Sequence, residues 1–229
     1  MKRGLFLLLC LVLAAGFAGL GAWQVQRLGW KQALIARTEA RLAAEPVAPP
    51  SPAEWSPRRA YTRVSTSGVF MHGAETLVRA VTERGPGWWV MTPLRTADGG
   101  VILVNRGFVP SERRDPATRA AGAPGGEVRV TGLLRESEPG GAFLRSNAPD
   151  AGRWYSRDVR AIAQARGLPP VAPYFVDADA TPNPGGYPVG GLTVVRFRND
   201  HLIYAATWFT LSGLSLFGVF LLLRRRKAA

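Results

Sequence analysis

The chain has 229 residues, 29 of them basic and 16 acidic, for a formal charge of +13. Six basic residues lie at the extreme ends (Lys2, Arg3 and Arg224 to Lys227), so between Gln24 and Asp200 the other 23 face 16 acidic ones. Charge placed at the ends signals topology, and the interior arginines are scattered among strand-like runs without the stacking aromatics of a nucleic-acid patch, so no nucleic-acid partner is expected. Cys10 is the lone cysteine, which excludes an internal disulfide, and no Cys–His cluster is present for zinc.

Residues 1–3 are a short basic start, and residues 4–23 an apolar run long enough to cross a hydrocarbon core of ~30 Å. The run exceeds the usual signal-peptide core, and Ala14 to Gly19 offers no sharp cleavage site, so a retained anchor is favoured over a cleaved leader. Ala14, Ala18 and Ala22 recur every four residues, as do Ala15 and Gly19, which predicts close approach of a second helix. Residues 24–44 are rich in helix formers and continue the span as an amphipathic stalk, with Trp23 and Trp30 at the headgroup level. Residues 45–60 hold five prolines and read as an extended linker.

From residue 61 to 200 the pattern becomes short β-rich runs: Tyr61–Phe70, Glu75–Thr82, Trp88–Arg95, Val101–Asn105, Glu127–Arg135, Tyr174–Val176 and Leu192–Phe197. Turn signals separate them at Gly85-Pro86-Gly87, Asp98-Gly99-Gly100 and Pro139-Gly140-Gly141. One short helix is predicted, with Ser156 as N-cap, Asp158 in its first turn, Val159, Ile162 and Ala163 inward, and Gly167 as stop. Arg113 to Gly126 and Pro182 to Gly191 read as exposed loops. The second apolar run, residues 201–223, ends in a basic tail at 224–229. At ~100° per residue, His201, Tyr204, Trp208, Ser212 and Ser215 share one side of it, and Ile203, Leu214, Phe217 and Leu221 the other. A polar stripe on a spanning helix should face protein or a ligand. Basic clusters outside both spans place both termini in the cytoplasm and the central domain across the membrane, which in a bacterium means a multi-pass inner-membrane protein with a periplasmic domain. The expected fold class is therefore an α+β membrane protein: two transmembrane helices flanking a mainly antiparallel, barrel-like extracytoplasmic β domain with one short helix.

Few residues invite catalysis. Nucleophilic chemistry needs a base beside Ser or Cys, and His72, in a turn, and His201 are the two histidines. Glu136 and Glu138 read as a solvated strand edge, and Gly185-Gly186 with Gly190-Gly191 lacks the helix start and Lys-Ser/Thr of a phosphate loop. No enzymatic turnover is expected. Asn105-Arg106-Gly107 reads as a structural turn, with Gly107 in an unusual backbone conformation and Arg106 paired to a carboxylate. Trp88-Trp89 reads as one ring on each face of a strand.

An ordered set of motifs runs through the chain: Gly21-Ala22-Trp23-Gln24 with Arg27 and Trp30-Lys31; Gly87 with Thr92-Pro93-Leu94; Val104 to Pro110; Gly132-Leu133-Leu134-Arg135; Trp154 to Asp158; and Arg198-Asn199-Asp200-His201-Leu202 with Tyr204-Ala205 and Thr207-Trp208. Together they resemble the surfeit locus protein 1 family of cytochrome c oxidase assembly factors, over nearly the whole chain and in order. The resemblance implies two spans around an outward domain, a role in maturing haem-copper oxidase, and, for bacterial members, binding of haem A before its insertion into oxidase subunit one. The implied partners are that subunit and the haem A synthesis machinery. At the matching positions the axial ligand to the haem iron would be His201, with Trp208 a further matching position. Haem iron takes an imidazole nitrogen and the macrocycle a flat apolar wall, which Tyr204 and Trp208 could supply. Arg106 could meet a propionate. The alternative is a membrane-anchored scaffold that holds a nascent oxidase subunit without haem, its polar stripe packed on a partner helix.

Overall fold

The computed structural model describes residues 2–142, 144–195 and 197–227. In chain order its elements are α1 (Lys2–Ala43), β1 (Arg63–Phe70), β2 (Thr76–Thr82), β3 (Gly85–Thr96), β4 (Val101–Pro110), β5 (Glu127–Glu136), β6 (Gly141–Ala142), β7 (Arg145–Ser146), α2 (Val159–Ala165), β8 (Val171–Ala178) and α3 (His201–Lys227), with short 3-10 turns between. The chain forms two compact units, Met1–Glu39 with Val195–Ala229, and Ala40–Val194.

In the first unit, α1 is unbroken over 42 residues. No proline occurs before Pro46, so the apolar run and the predicted stalk form one rod, roughly 60 Å long at ~1.5 Å per residue. Among the described residues, Arg3–Ala43 and His201–Arg224 are the two helices long and apolar enough to cross a membrane.

The second unit is a β barrel. One sheet runs β1-β5-β8-β4-β3-β2, and β1 also pairs with β3 through Gly68↔Thr96, Val69↔Arg95 and Phe70↔Leu94, closing five strands into a ring. All pairings in the sheet are antiparallel except β4 with β8, where Leu103 faces Phe175 and Val104 faces Val176. β4 is buried along nearly its whole length, on both faces. It therefore shows no alternation, and it runs to Pro110, five residues beyond its predicted end. One core cluster gathers Val64, Leu94, Val104, Leu134, Tyr174 and Val176, and a second Val78, Met91, Leu103, Trp154, Ile162 and Phe175. Burial of each such large side chain is worth about 1.5–3 kcal/mol.

Several sequence expectations change. Leu192–Phe197 forms no strand: residues 192–195 and 197 are irregular, and 196 lies outside the described residues. Gly85-Pro86-Gly87 is no turn but the start of β3; the reversal is the pair Glu83-Arg84, with Thr82 opposite Gly85. Pro86 is tolerated because pairing with β4 begins only at Gly87, so one side of β3 needs no N–H there. The N-cap of α2 is Asp158, whose Oδ1 accepts from Ala161 N at 3.1 Å; Ser156 is buried instead and its Oγ accepts from Asn147 Nδ2 at 3.0 Å. The carboxylate has the shorter reach to a free first-turn amide. The proline-rich stretch is docked on the barrel: Val47 bridges Val64, Pro50 O accepts from the Tyr174 hydroxyl at 2.6 Å, and Trp55 lies 4.9 Å from the Tyr174 ring. Burial raises the Tyr174 pKa to about 12, helped by the Asp98 charge, so the hydroxyl stays a donor.

A polar knot crosses the barrel wall at Asp177, which is 2 % exposed. It accepts from Asn105 Nδ2 (2.7 Å), Arg135 Nη1 (2.7 Å), Arg157 Nη1 (3.0 Å) and Thr193 Oγ1 (2.9 Å). Arg157 also binds Glu138, which is thus an ion-pair partner rather than a solvated edge residue. Burial alone would raise the Glu138 pKa, but the Arg157 hydrogen bonds and charge outweigh it and hold the carboxyl below its ordinary value. Arg157 is pushed the other way: burial disfavours its charge, yet Asp177 and Glu138 raise its pKa.

Asp177→Asn leaves buried guanidinium groups short of counter-charge and is expected to cost about 3–5 kcal/mol, read as a loss of about 10 °C in the barrel's thermal midpoint. A depressed carboxyl contributes stability that is complete above its unfolded pKa and lost as pH falls through the lower folded value. The midpoint should therefore decline as pH falls below the ordinary glutamate value of about 4.3, and Glu138→Gln should flatten that decline when calorimetric scans are compared.

Candidate functional site

The first unit places His201. Along α1 the buried or half-buried positions include Cys10, Ala14, Phe17, Gly21, Gln24, Leu28, Lys31, Ile35 and Thr38, a series with alternating steps of three and four. Along α3 they include His201, Ala205, Trp208, Ser212, Ser215, Val219 and Leu222, in the same rhythm. A mean step of ~3.5 residues keeps one seam on each helix facing its partner. The helices pair in antiparallel register: Ser212 Oγ donates to Ala14 O at 2.8 Å, Phe17 stacks on Trp208 with centroids 5.7 Å apart, and Lys31 Nζ lies 5.3 Å from the Phe197 ring centroid. Gly21 permits the close approach, since a Cβ there would lie 2.7 Å from Phe209 Cε1. The four-residue series Ala14, Ala18, Ala22 is corrected accordingly. Ala14 is buried, Ala18 half-buried, and Ala22, Ala15 and Gly19 are exposed, because a four-residue step drifts ~40° each time around the helix.

At the start of α3, His201 Nδ1 lies 2.7 Å from Gln24 Oε1. The amide oxygen accepts, so Nδ1 carries the proton and Nε2 the lone pair. A histidine whose distal nitrogen is oriented this way is set up to donate Nε2 to a metal. Trp208 is half-buried and occupied by Phe17, whereas Tyr204 is 52 % exposed on the flank of the seam. The residues that helical spacing puts on one side of α3 are thus divided: His201 and Trp208 belong to the helix seam, and Tyr204, the other half of the expected aromatic wall, stands beside it. Ser212 serves the seam, and Ser215 Oγ donates within its own helix to Leu211 O at 2.9 Å. Gln24 closes the Gly21-Ala22-Trp23-Gln24 motif, whose sequence alone shows no role for it. Its seam position is visible in the three-four rhythm, while its partner is 177 residues away.

Arg106 lies in the second unit and is 2 % exposed. Nη2 donates to Gly122 O and, at 3.0 Å, to Asn183 Oδ1, and the guanidinium lies 4.6 Å from the Phe70 centroid. The expected carboxylate partner is replaced by these neutral acceptors and the ring. Burial lowers its pKa to about 10, opposed by Glu75 and assisted by Arg119. Gly107 does take the unusual backbone expected of it, φ +130°, where a Cβ would also strike Val189 O. His72 Nε2 is 3.0 Å from Pro124 O, which ties it into a turn. Among the described residues no three His, Cys, Asp or Glu side chains converge in a metal-holding group.

These features define a class: a β-barrel domain carried in sequence between two long apolar helices that pair antiparallel and hold an imidazole at the start of the second. The SURF1 family profile matches residues 11–213. The chain is 43 % identical over 223 residues to the SURF1-like protein of Monosiga brevicollis, covering 91 % of this chain and 83 % of that one. It is 40 % identical over 211 residues to Surfeit locus protein 1 of Homo sapiens (85 % and 69 %), and 39 % over 219 residues to that of Mus musculus (89 % and 70 %). The chain belongs to the SURF1 family.

A Cβ at Gly218 would sit 4.0 Å from Cys10 Sγ. Gly218→Cys should therefore oxidise to an intrachain disulfide with the native Cys10, seen as faster non-reducing gel migration, and Gly21→Leu added to it should suppress the cross-link.

Proposed function

We propose that this protein is a membrane-tethered, non-enzymatic assembly factor for haem-copper (cytochrome c) oxidase, which takes haem A on His201 and presents it to oxidase subunit one. Family membership and two helices of spanning length and composition support the setting. In it, both termini lie in the cytoplasm, both helices cross the inner membrane, and the barrel domain is periplasmic, close to the machinery that makes haem A. The observation that carries the haem reading is the Gln24 Oε1 contact on His201 Nδ1, which leaves Nε2 as a free lone pair. The iron of the cargo would accept that lone pair. Tyr204, exposed beside it, is the aromatic surface available to the macrocycle. Trp208 supports it indirectly, by locking α3 onto Phe17. Arg106 is enclosed by its own domain and is assigned to holding loops rather than to a propionate.

One observation favours a second reading, a scaffold without haem. His201, Trp208 and Ser212 all contact α1 and Ser215 bonds within its own helix, which accounts for most of the polar stripe without a ligand.

Protein purified from cells that make haem A should show a Soret band that His201→Ala abolishes. Gln24→Leu should weaken haem binding about 10- to 100-fold in a titration, the usual effect of losing a partner to a ligating histidine. A colourless wild type, or His201→Ala with full oxidase activity where Gly21→Leu has none, would select the scaffold.

A further inference from the structure

The wall built by β2 and β3 carries a concavity of about 460 Å³ that the proposed function does not use. Four guanidinium groups border it: Arg79, Arg114, Arg153 and Arg166. Among the described residues no carboxylate lies within ion-pair distance of any of them. The one lining carboxylate, Glu75, is already held by Arg119 through two contacts, Nη1 at 3.0 Å and Nη2 at 2.5 Å. Arg79 and Arg114 each stand over the Trp88 ring at 5.2 Å, so two of the cations are braced on one indole. Arg166 is braced by Nε donating to Thr76 Oγ1 at 2.8 Å, with its Nη groups left over.

Like charges that border one concavity reinforce each other's field there, and low-dielectric walls focus it. The Trp88 and Trp154 side chains, both buried, supply such walls. Fixed, unpaired guanidinium groups match carboxylate and phosphate oxygens in geometry as well as in charge. The volume is that of a small-molecule site. We propose that this concavity binds a small molecule bearing at least two carboxylate or phosphate groups, held by Arg79, Arg114, Arg153 and Arg166 together. The oxyanions can come from a soluble polyanion or from a phospholipid headgroup, and the two sources are separable.

The test uses the full chain in uncharged detergent. Inorganic pyrophosphate and citrate are titrated calorimetrically, and binding is expected to saturate and weaken steeply with added salt. Arg114→Gln with Arg153→Gln should weaken it at least tenfold, each lost charged contact being worth roughly a factor of ten. Both positions are exposed, so the thermal midpoint without ligand should stay as in the wild type. Arg160→Gln, an exposed arginine outside the concavity, controls for net charge and should leave binding unchanged. In a second arm, nanodiscs of zwitterionic lipid are compared with discs containing phosphatidylglycerol. A midpoint rise confined to the anionic discs and lost in the double variant, without pyrophosphate binding, assigns the same chemistry to a headgroup. Absence of Arg114/Arg153-dependent binding in both arms, or equal loss in Arg160→Gln, overturns the proposal. So does binding seen only with polyglutamate, which would make the concavity a contact for an acidic protein partner.

Discussion

The position of His201 depends on a packing constraint far from it along the helix. The two apolar helices take their register from close fit and from the few polar groups they share. Here the fit is made by Ala14, Gly21 and Ala205, which let the backbones approach, and by Phe17 on Trp208. The Ser212 hydroxyl on the Ala14 carbonyl fixes the register. A slip of one residue would rotate each seam by ~100° and carry Gln24 away from His201. The imidazole contact is thus the far end of a zipper whose teeth are small residues.

The barrel has its own fixed point in a buried carboxylate. Asp177 is on β8, the strand whose pairing with β4 is parallel and so cannot be joined by a hairpin. Its four partners come from β4, β5, the approach to α2 and the segment after the barrel. Each oxygen is satisfied by charged or polar donors, which is the condition for a buried ion group to hold a fold together. The knot ties together chain segments that the hydrophobic clusters bring close but do not orient.

Local chemistry made the two long helices, the stalk and six of the strands readable, because apolar length and period-two alternation are local signals. What was not legible involves partners distant in sequence. β4 reads short in sequence because a strand buried on both faces loses its alternation, and β3 because its first residues, Gly85-Pro86-Gly87, carry turn composition. Leu192–Phe197 has strand composition, but Thr193 is held by Asp177, and the described residues of the segment form no ladder. The polar stripe of α3 reads from sequence as facing protein or a ligand; His201, Trp208 and Ser212 meet α1, but 100° arithmetic alone does not separate them from Tyr204 on the flank. That division follows from the three-four rhythm of α1, which must be laid beside α3 to be seen.

Burial sorts the arginines of the barrel into two kinds. Arg106 has lost its water and retains no carboxylate, so its charge is spread over the Phe70 face, the Gly122 carbonyl and the Asn183 side chain. These come from the end of β1 and from two loops that look structureless in sequence, 113–126 and 182–191. A planar cation can serve a ring and two acceptors at once, where an ammonium could not present a face. With a pKa still near 10 it remains charged at neutral pH and organises both loops from within. Arg79, Arg114, Arg153 and Arg166 differ in having their heads in solvent and no loop to hold. A guanidinium that is 2 % exposed inside its own domain is out of reach of an outside ligand. Recognition of an outside anion therefore falls to the exposed four, and the shape of the loops to the buried one.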